Sequence, residues 1–359
     1  MRSFFVRRHA PVAGERITAL LQITLYTINA ILPIILLILL GYLLNRFSFL
    51  TDAFVDAGNK LVFRVLLPLQ LFMNIYAISS LGEIHWDLCL FTMAGIFAVF
   101  VIGFFYARRF IADPRQKGVI VQAFYRSNIS IIGIPLGLAL GGEAALSQLS
   151  VVTSFTVAEL NILAVIALTV FLPDAGSENG IGMLVRKVAK NPLIIGLACG
   201  LAIMLIRMAE PAGADGLPVF TIKNNIPFLY KTMNYLAQSC TPVALLVLGA
   251  QFRFSAVKRL RVQIVTGVLA CNVVRPFLAF LAAILLNRAG ITAFGPTAFA
   301  VLVPAFAAPC AFSSGVMARE MHNDDELAAQ IIVWSNFFSI FTLFIWISLL
   351  LNLGLMTFA

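Results

Sequence analysis

Long apolar runs separated by short polar stretches fill almost all of this 359-residue chain. Each run is about 20 residues long, enough helix to cross a hydrocarbon core of roughly 30 Å. The runs and their breaks predict ten membrane-spanning helices, at 25–47, 55–78, 86–108, 116–141, 146–172, 190–208, 227–250, 262–287, 293–320 and 326–354. The expected fold class is therefore an all-α membrane protein. Residues 1–24 read as a basic N-terminal tail. "MRSFFVRRHAPVAGER" holds Arg2, Arg7, Arg8 and Arg16, and the apolar run after it continues into a full span instead of ending in a short cleavable core.

The chain also resembles itself. "LVFRVLLPLQLF" in span two matches "LAQSCTPVALLVLGA" in span seven, with Pro68 opposite Pro242. "LSQLSVVTSF" in span five matches "AAQIIVWSNF" in span ten, with Gln148 opposite Gln330 and Phe155 opposite Phe337. Span four, with Pro135, pairs with span nine, with Pro304 and Pro309. Residues 25–172 and 190–355 thus read as two five-helix repeats joined by a cytoplasmic loop at 173–189. Five is an odd number of crossings, so the second repeat is expected upside down relative to the first. Broken helices at matching places of such inverted repeats point to a carrier's binding site.

The stretch "NISIIGIPLGLALGG" (128–142) places Asn128, Gly133, Pro135 and Gly137 in the middle of span four. Proline removes a backbone donor, and glycine permits angles that other residues avoid. From Lys117 to Ser130 is about 13 residues, or roughly 20 Å of helix, so the expected break lies near mid-membrane. Counting from Phe294 puts Ala307 and Pro309 at a similar depth. Freed backbone groups are tolerated in a bilayer only where they are buried in protein or line a polar cavity. Spans four and nine are therefore expected to be broken helices that cross inside the protein. Their half-helix N-termini carry partial positive charge and favour an anion. The plainer alternative is a pair of proline kinks in packed helices.

Composition narrows the function. Only 11% of residues are charged and 61% are hydrophobic, which excludes a soluble domain. The net charge of +9 resides largely in short loops, where the positive-inside rule places it, so it carries no expectation of nucleic acid as a partner. Arg108, Arg109, Arg115 and Lys117, then Arg186, Lys187 and Lys190, then Arg253, Lys258, Arg259 and Arg261 mark every second loop as cytoplasmic. Both termini then face outside, although the basic tail pulls the other way. The five cysteines are scattered and form no CxxC, and the three histidines lie in the tail or loops, so no metal site is expected. No GxxxxGK[ST] or HExxH occurs, and no cofactor and no catalytic residues are expected.

Arg126 and Arg275 lie within spans, where arginines are costly and face a polar interior. Each is a candidate to attract a carboxylate, or else a structural cation bound to backbone carbonyls. Glu159, in "FTVAELNILAV", is the candidate for a coupling proton, or a static partner for an arginine. Gln70, Asn74, Ser313, Ser314 and Asn336 are candidate cavity-lining hydrogen-bond partners, although polar side chains also hold membrane helices together without binding anything.

Together, "INAILPIILLILLGYLL" (28–44), "LVFRVLLPLQLF" (61–72), "NISIIGIPL" (128–136), "NPLIIGLACG" (191–200), "TPVALLVLGAQF" (241–252) and "AAPCAFSSGVMARE" (307–320) resemble the auxin efflux carrier family of membrane permeases, within the bile acid–sodium symporter-like superfamily. The resemblance implies ten helices in two inverted repeats, a scaffold part from spans one, two, six and seven, and a transport part from spans three to five and eight to ten. It implies that Asn128, Pro135 and Pro309 frame the substrate site; Ile132, Gly133, Ala308 and Ser313 are further candidate substrate-binding residues. The second crossover here is the alanine-rich "FAAPCAF", where plant members are more polar, so the substrate is not expected to be auxin itself.

The expected function is an elevator-type secondary carrier of small organic anions, mono- or dicarboxylates, in a bacterial inner membrane. Its partners are the anion and the lipid bilayer. A proton or sodium co-ion and a homodimer stay open. The alternatives are a sodium-coupled carrier of the bile-acid-symporter type and a sensor or channel without turnover.

Overall fold

The computed structural model describes residues 13–77, 85–172, 188–209 and 221–357, with Gly182 and Arg186. The loop expected at 173–189 lies almost wholly outside the described residues. The helices are α1 (Ala13–Arg46), α2 (Asp52–Leu61), α3 (Leu67–Tyr76), α4 (Trp86–Phe110), α5 (Pro114–Tyr125) and α6 (Ile134–Val170) in the first half. The second half holds α7 (Pro192–Ala209), the short α8 (Ile222–Asn225), α9 (Pro227–Gln251), the short α10 (Ser255–Arg259), α11 (Arg261–Leu269), α12 (Arg275–Arg288), α13 (Pro296–Ala307), α14 (Ser313–Glu320) and α15 (Asp325–Asn352). No strand occurs among the described residues, and the fold is all-helical. Among the described residues, five stretches are long and apolar enough to cross a membrane: Trp86–Phe110, Ile129–Val170, Pro227–Gln251, Arg261–Arg288 and Asp325–Asn352. Shorter apolar helices cover Ile31–Arg46, Pro192–Arg207 and Pro296–Ala307. One boundary differs from the sequence reading: α1 begins at Ala13, so part of the expected tail is helical.

Among the described residues, three π-helical turns interrupt the regular winding, at Val62–Leu66, Ile129–Gly133 and Ala270–Val274. Each precedes a proline by two residues: Pro68, Pro135 and Pro276. A proline cannot donate to the carbonyl four residues back, and a local widening accommodates the lost bond. At the third turn the freed carbonyl has a substitute donor, because Trp346 Nε1 donates to the Asn272 carbonyl at 3.0 Å.

The most extensive helix pairings are α1 with α9, α3 with α7, α4 with α5, and α6 with α13. The first is a reciprocal glycine contact. A Cβ on Gly41 would stand 2.1 Å from the Leu246 carbonyl oxygen, and one on Gly249 would stand 1.9 Å from that of Ile38. Only glycine lets the two backbones approach so closely, the usual device of membrane helix pairs. In the second pairing, a Cβ on Gly196 would meet the Pro68 carbonyl oxygen at 2.5 Å.

α5 and α13 are surrounded on every side along their inner stretches. α5 is buried from Gly118 to Tyr125, and α13 from Phe299 to Ala307. Both have 12 residues and both begin with proline at the first turn, where its missing donor is harmless. At 1.5 Å per residue each is about 18 Å long, and each stops inside the molecule. After α5, the chain is non-helical through Arg126–Asn128 and resumes helical winding at Ile129. After α13, it is non-helical from Ala308 and resumes at Ser313. The helical path from Ile129 then bends at Gly141–Gly142, where Gly142 has φ 61°. That left-handed angle suits glycine and lets the chain turn back into the long remainder of α6.

Candidate functional site

The two interruptions lie against each other. Ser127 and Cys310 form an isolated antiparallel bridge. The Asn128 backbone N–H donates to the Pro309 carbonyl at 2.9 Å, and the Asn128 carbonyl accepts from Ile132 N at 3.1 Å. The backbone groups released by unwinding each chain are thus partly satisfied by the other, within a buried environment that permits such unwinding.

Four helix ends meet here, and they are treated differently. The C-terminal end of α13 is held by Arg275, whose Nε donates to the Phe306 carbonyl at 2.7 Å and whose Nη2 donates to the Ala308 carbonyl. A cation at a helix C-terminus complements its partial negative charge. Arg126 caps the end of α5, and its guanidinium reaches across to Asn161 Oδ1 and Ser313 Oγ, both at 2.9 Å, and to the Leu160 carbonyl at 3.5 Å. Both arginines are buried. Neither has an acidic partner among the described residues.

The two N-terminal ends are open. A cavity of about 60 Å³ is lined by Asn128–Ile131 at the start of one helical segment and by Ala311–Ser313 at the start of the other. The first N–H groups of a helix have no carbonyl within that helix; at the second segment Ser314 donates to the Ala311 carbonyl and Gly315 to the Phe312 carbonyl, both at 3.1 Å, so the N–H groups available to a ligand are those of Ile129, Ser130, Ile131 and Ser313. Arg126, Ser127, Gln70, Asn74 and Asn161 complete the polar lining. Two buried polar atoms there lack partners, Ser127 Oγ and Asn128 Nδ2. Among the described residues, no acidic side chain lines the cavity. A small buried space with two helix N-termini, one guanidinium and four amide side chains is chemically suited to an anion with hydrogen-bonding oxygens. A larger recess of about 1020 Å³ lies away from this junction, beside Asp113, Arg115 and His322. Its Arg319 is already paired with Asp56 and with Asp325.

Residues 26–347 match the family described as membrane transport protein. The chain belongs to this family. The resemblance to the auxin efflux carriers is thereby shown, and the chain is a membrane transporter. It is similar to a protein of Rhizobium meliloti named "Putative malonate transporter", at 26% identity over 70% of this chain and 75% of that one. It is also similar to an "Uncharacterized transporter" of Methanocaldococcus jannaschii, at 24% identity over 90% of this chain and 99% of that one.

In this transporter the sequence candidates divide into two groups. Asn128, Arg126, Ser313 and Gln70 line the cavity. Ile132, Gly133, Pro135, Ala308 and Pro309 do not. Pro135 does not open the helix as expected. It lies in the first turn of α6, beyond a π turn that contains Ile132 and Gly133, and Pro304 is inside α13. Asn128 does not cap the following segment with its side chain. Arg275 contacts the Phe306 carbonyl at the end of α13 and the Ala308 carbonyl beyond it, and is not among the residues lining the cavity. Glu159 is half-buried, does not line the cavity, and leaves Oε2 unpartnered. Gln70 donates weakly to Thr241 Oγ1 at 3.4 Å.

Sequence reasoning missed Asn161, Ser127 and Ser130. Asn161 carries a signal that could have been read: it is a polar residue one turn after Val157 on the same helix face, inside an apolar run. Its Nδ2 donates to the Val157 carbonyl at 2.8 Å, which leaves Oδ1 for Arg126.

Proposed function

We propose that this transporter is a secondary active carrier of small organic anions, mono- or dicarboxylates, working by elevator-type alternating access. In this reading the helices make ten spans in two inverted five-helix repeats, with α5 and α13 entering from opposite faces of the inner membrane and both termini outside. The substrate binds where the interrupted helices meet. Spans one, two, six and seven form the scaffold, and the rest move against it.

The observation that carries the reading is the cavity at two helix N-termini, bounded by Arg126, Asn128, Asn161 and Ser313 and free of carboxylates in its lining. Developing or fixed negative charge is favoured there by the open N–H groups and by the guanidinium, and opposed by nothing in the lining. The helix pairing supports the inverted repeat. A two-fold operation that exchanges span one with six and two with seven turns the α1–α9 contact into the α7–α3 contact, and both are close glycine packings. The relative named for malonate supports a carboxylate substrate.

The test is uptake of labelled malonate and of a panel of other mono- and dicarboxylates into proteoliposomes, under imposed pH, sodium and voltage gradients. Saturable uptake of one or more carboxylates, abolished by excess unlabelled acid, is expected. Saturable transport of cations with no response to any carboxylate would overturn the reading.

A further inference from the structure

Away from the substrate cavity, a groove of about 400 Å³ runs along the outer face between α11, the π turn after it, and α15. Its walls include Val265, Val268, Leu269 and Val273 on one side and Trp334 and Phe338 on the other. Val265, Leu269, Val273 and Phe338 are exposed. From Arg261 to Val273 the helical path rises about 18 Å at 1.5 Å per residue. Half of a hydrocarbon core of roughly 30 Å is about 15 Å. The groove therefore has the length of one leaflet and the chemistry of an acyl-chain channel.

Its two ends are not alike. Arg261 lines one end, and Lys258 lies three residues earlier, next to Val257, which also lines the groove; both basic residues are exposed. Among the described residues neither forms an ion pair, whereas the neighbouring Arg259 is paired with Glu326. Two free cations at the mouth of a leaflet-long apolar groove complement one kind of molecule, a phospholipid with an anionic headgroup. We propose that this groove is a binding site for an anionic phospholipid, with one acyl chain laid along Val265–Val273 and the headgroup against Arg261 and Lys258.

The groove is connected to the helix junction. Its wall includes Asn272, within the π turn. Asn272 Nδ2 donates to the Ser335 carbonyl at 2.9 Å, and Ser335 Oγ accepts from the Cys310 backbone N–H at 3.3 Å in the second interruption. A lipid in the groove thus packs against the turn that braces the unwound segment. The proposal rests on membrane insertion, which the family membership supplies, and not on the identity of the transported anion.

The experiment is native mass spectrometry of delipidated protein in detergent, offered an equimolar mixture of phosphatidylglycerol and phosphatidylethanolamine with identical acyl chains. Wild-type protein is expected to retain phosphatidylglycerol about thirtyfold over phosphatidylethanolamine, the size of preference that two basic residues at a membrane surface supply. Arg261→Gln with Lys258→Gln should bring the ratio close to one. Val265→Trp, which fills the groove, should lower retention of both lipids. Arg108→Gln with Arg109→Gln, two exposed basic residues at the end of α4, should keep the preference. Equal retention of the two lipids by wild type, equal loss of preference in the Arg108 and Arg109 variant, or unchanged retention in Val265→Trp would each overturn the proposal.

Discussion

Replacing Asn128 by alanine separates a binding role from a structural one by the sign of two effects. The side chain of Asn128 is buried, it forms no helix cap, and its Nδ2 has no partner. The two hydrogen bonds that place the residue are made by its backbone, to Pro309 and from Ile132, and alanine keeps both. Removing an unpartnered buried amide relieves a desolvation cost instead of creating one, so folding stability is expected to stay constant or rise slightly. The substrate, in contrast, loses a donor inside a buried site, worth about 1–3 kcal/mol, or roughly five- to hundredfold in affinity. Asn161→Ala is the opposite case. Asn161 Oδ1 accepts from the buried Arg126 guanidinium at 2.9 Å, and its loss leaves that charge short of a partner at a cost of about 1–3 kcal/mol or more of stability. Thermal unfolding in detergent, followed by tryptophan fluorescence, measures the first quantity. Competition of unlabelled carboxylates against labelled uptake measures the second. If Asn128→Ala unfolds as early as Asn161→Ala and leaves substrate affinity unchanged, Asn128 is a structural residue and the cavity is not the binding site.

Gly249→Val should prevent the pairing of α1 with α9, since a Cβ there would lie 1.9 Å from the Ile38 carbonyl oxygen; loss of monodisperse protein in detergent chromatography is expected, and a normal elution profile would contradict the packing. Trp346→Phe should destabilise by about 1–3 kcal/mol because it strands the Asn272 carbonyl, and adding Pro276→Ala, which restores a backbone donor to that carbonyl, should recover much of the loss in a thermal unfolding series; an additive double variant would refute the coupling. A reporter enzyme fused after Ala359 should be active only in the periplasm, and cytoplasmic activity would reverse the proposed orientation.

The helical elements are legible in the sequence because length, apolarity and proline position are local properties. The sharp bend at Gly141–Gly142 is legible for the same reason. The location of the first interruption is not. Pro135, Gly133 and Gly137 look like the breakers, yet helical winding runs through all three, because proline is tolerated in a first turn and a π turn absorbs the missing donor. The chain unwinds instead at Arg126–Asn128, where Cys310 and Pro309 supply backbone partners from more than 180 residues away. No local pattern announces such a partner. The same distance hides the fate of Arg275, since the carbonyls it holds belong to α13 and the segment after it. Asn161 is the intermediate case: its residue type and face are visible in sequence, but its pairing with Arg126 requires two helices to be placed.

The equal length of α5 and α13, 12 residues each, bears on the direction of traffic. If the two enter from opposite faces, the cavity sits at the same depth from either side, and a solute crosses the same thickness of protein whether it leaves or arrives. Nothing in such a layout acts as a ratchet. On the proposed function, import or export would then follow from the concentrations and voltages on the two sides, and one and the same molecule would be an exit in a cell that overproduces the acid and an entrance in a cell that lacks it.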